Sequence, residues 1–266
     1  MTARSYLFVP GERPDRFQKA WDAGADAVIL DLEDGVAPAN KNNARISIIE
    51  WLSAKQPVYV RLNGPESEWF ADDLSAFANR PGLRGIVLPK VESSDQINRV
   101  AAVFPKGIDL LPMVETAKGV SKAAELAESP SVVRLGFGAL DLQADVGIDG
   151  DGEELLYARS RVVMASRVAE ILPPVDSVTT ALDDTQLLKD NVRRARRLGF
   201  GAKFCIHPNQ IAAVHEGFAP TAAEVAWAKD ILAAVASSDQ GAIRYKGQMV
   251  ERPIVDRAKR ILEETK

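Results

Sequence analysis

With 266 residues, 46% of them hydrophobic, the chain can bury one large core and is too apolar to be disordered. A net charge of −4 and a pI near 5.4 exclude a globally basic face for nucleic acid or an anionic membrane. A single cysteine, Cys205, and two histidines exclude an internal disulfide and the usual zinc spacings, which fits a reducing cytoplasm.

The N-terminal stretch MTARSYLFVPGERPD has no apolar signal-peptide core, and no run approaches the roughly 20 apolar residues of a membrane span. SYLFVP (5–10) is the first apolar, β-branched run and reads as a strand. DRFQKAWDAG follows with helical spacing, because Phe17, Ala20 and Trp21 share a face that Asp15, Gln18 and Lys19 avoid. AVILDLE (27–33), PVYVRLN (57–63) and GIVLPK (85–90) are the next three strands. Ser93 with Gln96 forms a capping box at a helix start. DLLPMVE (109–115), SVVRLGFGA (131–139), DSVTT (176–180) and AKFCIHP (202–208) complete a set of eight strands. The run Arg193, Arg194, Arg196 and Arg197 reads as a solvated helix face. A second capping box, Thr221 with Glu224, starts a helix where the repeat stops; GAIRYKGQMVERP and a charged final helix follow.

Strands that are apolar on both faces and alternate with helices predict a parallel sheet covered by helices. Eight such units in about 210 residues predict an α/β fold, a (β/α)8 TIM barrel over residues 1–220. Residues 221–266 then form a C-terminal helical extension or lid.

In such a barrel the groups at the C-terminal ends of strands converge on one mouth. Round the barrel these are Arg13, Glu33 and Asp34, Arg61 and Asn63, Lys90, Glu115, Asp141, Thr179 and Thr180, and His207. Carboxylates gathered this closely repel, which raises their pKa values or calls for a cation. Glu115 and Asp141 are 141 − 115 = 26 positions apart, about one strand–helix unit, and so face one space. Two carboxylates with positions left for water and substrate oxygens describe a Mg2+ site; the alternative is that the acids cap the following helices. Arg61 is placed to hold a carboxylate bidentately, or to pair structurally with Glu33 or Asp34. Asp31 is expected to serve structure. Lys90 admits Schiff-base chemistry, but the neighbouring acids favour its charged form. His207, followed by Pro208, reads as a cap or positioner. LGFGALD lacks the third glycine of a dinucleotide fingerprint, and its use is to bring the backbone N–H groups of Ala139 and Leu140 toward an anionic ligand.

LFVPGERPDRFQKA, VILDLEDGVAP, VRLNG, VLPKVES, MVETAKG, GFGALDL, IHPNQI and GQMVERPIVDRA together resemble the citrate lyase β-subunit (CitE-like) group of the HpcH/HpaI aldolase superfamily, from residue 6 to about 258. That resemblance implies a Mg2+-dependent carbon–carbon lyase of a carboxylated 3-hydroxyacyl-CoA, such as citryl-, malyl- or citramalyl-CoA. It implies Glu115 and Asp141 as metal ligands, Arg61 and Glu115 on the substrate, Glu33 and Asp34 on metal-bound water, and Arg13 near the CoA end. It also implies a homo-oligomer, trimer or hexamer, whose C-terminal segment closes over a neighbour's barrel. The motif that usually reads GKMVD or GQMVD is GQMVE here, so the implied catalytic base is Glu251, one methylene longer than the usual Asp. Two other readings stay open: a metal-dependent aldolase on free pyruvate-type hydroxy-keto acids, and a non-catalytic carboxylate-binding or regulatory homologue. Against the first, those aldolases usually carry a His where this chain has Glu33 and Asp34.

Overall fold

The computed structural model describes residues 2–104, 107–237 and 242–265. Eight parallel strands close into a barrel in sequence order: β1 (Ser5–Pro10), β2 (Ala27–Asp31), β3 (Val58–Arg61), β4 (Leu83–Leu88), β5 (Asp109–Val114), β6 (Arg134–Phe137), β7 (Leu172–Asp176) and β8 (Ala202–Cys205). The ring is closed by β8 pairing back on β1, with Tyr6 opposite Phe204. Helices separate successive strands, as the parallel connections require. This is the predicted (β/α)8 barrel.

Alternation along each strand sorts two layers. Tyr6, Ile29, Tyr59, Val87, Leu111, Met113, Val175 and Phe204 fill the barrel interior. Tyr6 packs edge-on against Tyr59 and Phe204, with ring centroids 5.6 and 6.1 Å apart, the geometry that aromatic quadrupoles favour. The intervening residues, such as Val28 and Leu30 or Val58 and Val60, are buried on the opposite face of the sheet. At the N-terminal end of the strands Arg134 is buried, donating to the carbonyls of Pro173 and Ala3 and lying over the Tyr6 ring.

The seventh strand departs from expectation. It runs Leu172–Asp176, and DSVTT belongs mostly to the segment after it. Pro173 and Pro174 lack the N–H that a strand interior uses, so LPPVD does not look like a strand although its end pairs with β8. Both capping boxes form as predicted, at Ser93/Gln96 and Thr221/Glu224.

The chain comprises two compact units, Ala3–His215 and Glu216 onward. In the second, helices Ala222–Ala236 and Arg252–Glu263 pack through Ala228, Ile231, Ala258 and Ile261. Between them an antiparallel hairpin joins β9 (Ile243–Tyr245) to β10 (Gln248–Val250). Lys246 and Gly247 turn it with φ of 44° and 83°, the positive pair that a tight two-residue hairpin needs.

Candidate active site

At the C-terminal end of the barrel strands lies a cavity of about 270 Å³, whose lining includes the apolar Phe8, Met113 and Phe204 and the charged Arg61, Glu115 and Asp141. All of its lining residues belong to the Ala3–His215 unit. Glu115 follows β5 directly and is 1% exposed. Its Oε1 accepts the Lys90 N–H at 2.7 Å, while its Oε2 is buried without a hydrogen-bond partner. Burial, then the charges of Asp141 and Glu33, push its carboxyl up to about 8 in spite of Arg61. Gly138 lies against this side chain so closely that a Cβ there would overlap Oε2, which explains the glycine of LGFGALD. Three residues on, in the first turn of helix Ala139–Val146, Asp141 faces the same cavity.

Asp31 and Arg61 are register partners at the ends of β2 and β3. Arg61 grips Asp31 with both tips of its fork, Nε to Oδ1 at 2.6 Å and Nη2 to Oδ2 at 2.7 Å, and Nη1 meets Glu33 at 3.0 Å. Asp31 also accepts the N–H groups of Glu33 and Gly35. Burial opposes its charge, but Arg61 outweighs burial and holds the carboxyl below the usual range. The structural pairing of Arg61 is therefore mainly with Asp31, with Glu33 second and Asp34 not involved. Asp31 combines its structural task with a place in the cavity wall: alternation from Ile29, an interior residue, puts it on the inner face. Two of the five guanidinium N–H donors are hydrogen-bonded to Asp31, Nη1 is ion-paired with Glu33, and Arg61 lines the cavity.

Lys90 sits between the acids. Its ammonium contacts Glu33 closely, Asp34 at 3.2 Å and Asp141 at 3.4 Å. Burial disfavours its charge, yet Glu33, then Asp141 and Asp34, outweigh burial and raise its pKa. A Schiff base needs the free amine, so Lys90 is held in the wrong form for that chemistry.

The donors round the cavity are hard oxygens, and one of them, Glu115 Oε2, is buried and unpartnered. That arrangement fits an oxygen-seeking dication such as Mg2+, for which Asp141, lining the same cavity, would offer a second oxygen donor. Among the described residues no group of three or more His, Cys, Asp or Glu gathers as a metal site.

Residues 4–208 match the family HpcH/HpaI aldolase/citrate lyase. The chain belongs to this family. It is 37% identical to a citrate lyase subunit beta-like protein of Deinococcus radiodurans, over 97% of the chain and 96% of that protein. It is 32% identical to a mitochondrial citramalyl-CoA lyase of Rattus norvegicus, covering 97% of the chain and 85% of the relative. Among solved structures, CitE of Mycobacterium tuberculosis in complex with magnesium, acetoacetate and coenzyme A superposes with a TM-score of 0.88 at 35% identity, covering 98% and 97% of the two chains.

Several strand-end residues named from the sequence do not reach the cavity of this family member. Asn63 turns away to hold Asp73, which in turn holds Arg45. Thr179 is buried between Asn191 and Gln210; because β7 ends at Asp176, Ser177 and Val178 line the cavity instead. His207 caps the turn that follows β8, accepting the Asn209 N–H at its Nδ1. Arg13 is exposed and pairs with Asp15. The N–H of Ala139 is taken by Ser177 Oγ at 3.0 Å, so of the two backbone donors expected there it already has a partner; Leu140 lines the cavity. Glu251 is exposed in the second unit, where it is the N-cap residue of helix Arg252–Glu263. Two features escaped sequence reading. The Asp31–Arg61 clamp was signalled by both residues closing adjacent strands, and Ser177 was hidden by the prolines of β7.

Proposed function

We propose that the chain is a Mg2+-dependent carbon–carbon lyase that cleaves, or forms, a carboxylated 3-hydroxyacyl-CoA such as citryl-, malyl- or citramalyl-CoA, giving a keto acid and acetyl-CoA. The observation that carries this reading is the buried, unpartnered Glu115 Oε2 beside Asp141 in a cavity that also holds Arg61. The related citramalyl-CoA lyase and the CitE complex with magnesium, acetoacetate and coenzyme A support it.

Glu115 and Asp141 would hold the ion, whose chemistry is Lewis-acid stabilisation of charge on substrate oxygen. The Arg61 guanidinium takes the substrate carboxylate, with Asp31 and Glu33 holding it in place before substrate arrives. Glu33 and Asp34 would orient ion-bound water, as the family resemblance implies. A cavity of about 270 Å³ accommodates the keto-acid portion and not a nucleotide, so the CoA body lies outside it, toward Arg13. In the cleavage direction a base removes the hydroxyl proton, the carbon–carbon bond breaks, and its electron pair passes to the thioester enolate, which is then protonated to acetyl-CoA. We assign that base to Glu251, supplied in a cytoplasmic trimer or hexamer by the C-terminal unit of a neighbouring copy, as the family resemblance implies.

The test is a panel of candidate acyl-CoAs incubated with protein and Mg2+, with products read by mass spectrometry. The expected result is Mg2+-dependent release of a keto acid, lost in Glu115→Ala and Asp141→Ala. Full activity in either variant would refute the metal assignment. Glu251→Gln is expected to lose turnover while Glu251→Asp retains it; an active Glu251→Gln would remove Glu251 from the base role.

A further inference from the structure

One residue serves both proposed ligands of the ion from opposite ends. Lys90 follows β4 with φ of 52°, a left-handed backbone that a side chain larger than glycine adopts at a cost. This conformation aims the Lys90 N–H at Glu115 Oε1, so one oxygen of that carboxylate is held and the other stays unpartnered. The same residue's ammonium reaches Asp141 Oδ1 at 3.4 Å while contacting Glu33 and Asp34. The main chain of Lys90 thus orients one ligand, and its side chain occupies an oxygen of the other.

We infer that Lys90 is a tethered cation that competes with the divalent ion for Asp141 and thereby sets how weakly this site holds metal. The inference rests on the proposed Glu115–Asp141 pair. A fixed positive charge this near a dication opposes its binding, by an amount that solvent moderates because the Lys90 and Asp141 side chains are 39% and 32% exposed. A residue present only to position Glu33 or Asp34 would act in the opposite sense, since its removal would loosen the site and weaken binding. The direction of the change therefore separates competition from support.

The experiment is calorimetric titration of Mg2+ into wild type, Lys90→Met and Lys90→Arg, without substrate. Competition predicts a Kd about tenfold or more lower in Lys90→Met and close to wild type in Lys90→Arg. An unchanged or higher Kd in a folded Lys90→Met overturns the inference. Should Lys90→Met not fold, wild type supplies the measurement: acylation of Lys90 by an amine reagent, followed by peptide mass spectrometry, is expected to speed up when saturating Mg2+ frees the ammonium from Asp141. A rate that is unchanged or slower overturns the inference as well. Wild type that binds no Mg2+ at millimolar concentration would overturn the metal site itself, a failure distinct from a site that binds Mg2+ indifferently to Lys90.

Discussion

Two charged clusters in this barrel have opposite designs. In the helix–sheet layer Asp176, at the end of β7, is fully buried between Arg159 at 3.0 Å and Lys203 at 3.3 Å, and Arg159 also holds Asp151. Each charge there has an opposite partner; burial works against the Asp176 carboxylate, but Lys203 and Arg159 outweigh it and hold its pKa below the usual range. At the mouth, Arg61 and Lys90 face Asp31, Glu33, Asp34, Glu115 and Asp141, and one Glu115 oxygen has no partner. There burial wins and the Glu115 carboxyl is pushed up. Balanced charge in the first cluster stabilises the fold, whereas the surplus of acid in the second destabilises it and is useful only to something that binds.

The largest effect expected from this contrast is on activity. Glu115→Gln removes a proposed ligand of the ion, which would forfeit several kcal/mol of transition-state stabilisation, so turnover of the acyl-CoA should fall by about 1,000-fold or more. The metal-free protein should be no less stable than wild type, because a neutral amide replaces a carboxylate that burial disfavours. A large drop in melting temperature would show that Glu115 belongs with the balanced cluster after all. Asp176→Asn should behave in the reverse way: it strips one partner from a buried ion group and should lose about 3–5 kcal/mol in urea unfolding, with turnover per folded molecule little changed.

The same variant tests the sign of the Asp176 shift. Its folded-state pKa lies below the ordinary value of 3.8, so its stabilisation is fully present above the unfolded pKa and is lost as pH falls through the folded value. The gap in unfolding free energy between wild type and Asp176→Asn should be constant from pH 7 to about 5 and close below 3.8. A gap that widens in acid would mean that the carboxyl is not stabilised by its cations.

The barrel was legible because its strands are apolar on both faces, and the acids of the mouth because they end those strands. The balanced cluster was not legible at all. Arg159 lies in a helix and Lys203 in the middle of the apolar run AKFC, and nothing in the spacing connects them to Asp176. Of the expected partners of Arg61, Glu33 does pair with it, but the main partner, Asp31, was missed, since Glu33 and Asp34 are as near in sequence and only the pairing of β2 with β3 sets Asp31 opposite Arg61. Glu115 was found, but its unpartnered oxygen depends on where the Lys90 backbone points, which no periodicity encodes.

A smaller perturbation sharpens the contrast by touching the mouth from behind. Lys41 is buried and donates to the carbonyls of Leu32 and Glu33 at 2.6 and 2.7 Å, pinning the segment that carries Glu33 and Asp34. Lys41→Met leaves these carbonyls without their charged donor and should cost about 1.5–3 kcal/mol. Release of the segment should also reduce Mg2+ affinity about tenfold, measured by calorimetry. If stability falls while metal affinity holds, Glu33 and Asp34 are not coupled to the ion.

The smallest effect separates proximity from function. Ser93 lies three positions beyond Lys90, and its side chain is part of the capping box that starts helix Ser94–Val103. Gln96 Oε1 accepts the N–H of Ser93 at 3.2 Å and that of Glu92 at 2.7 Å, so in Ser93→Ala half of the box survives. The expected loss is about 1 kcal/mol in thermal unfolding, with the Kd for Mg2+ unchanged. Lys90 is fixed by its own contacts to Glu115 and Glu33, which do not pass through the helix start. A shift in metal affinity in Ser93→Ala would mean that the helix start, and not the acids, sets where the ammonium lies.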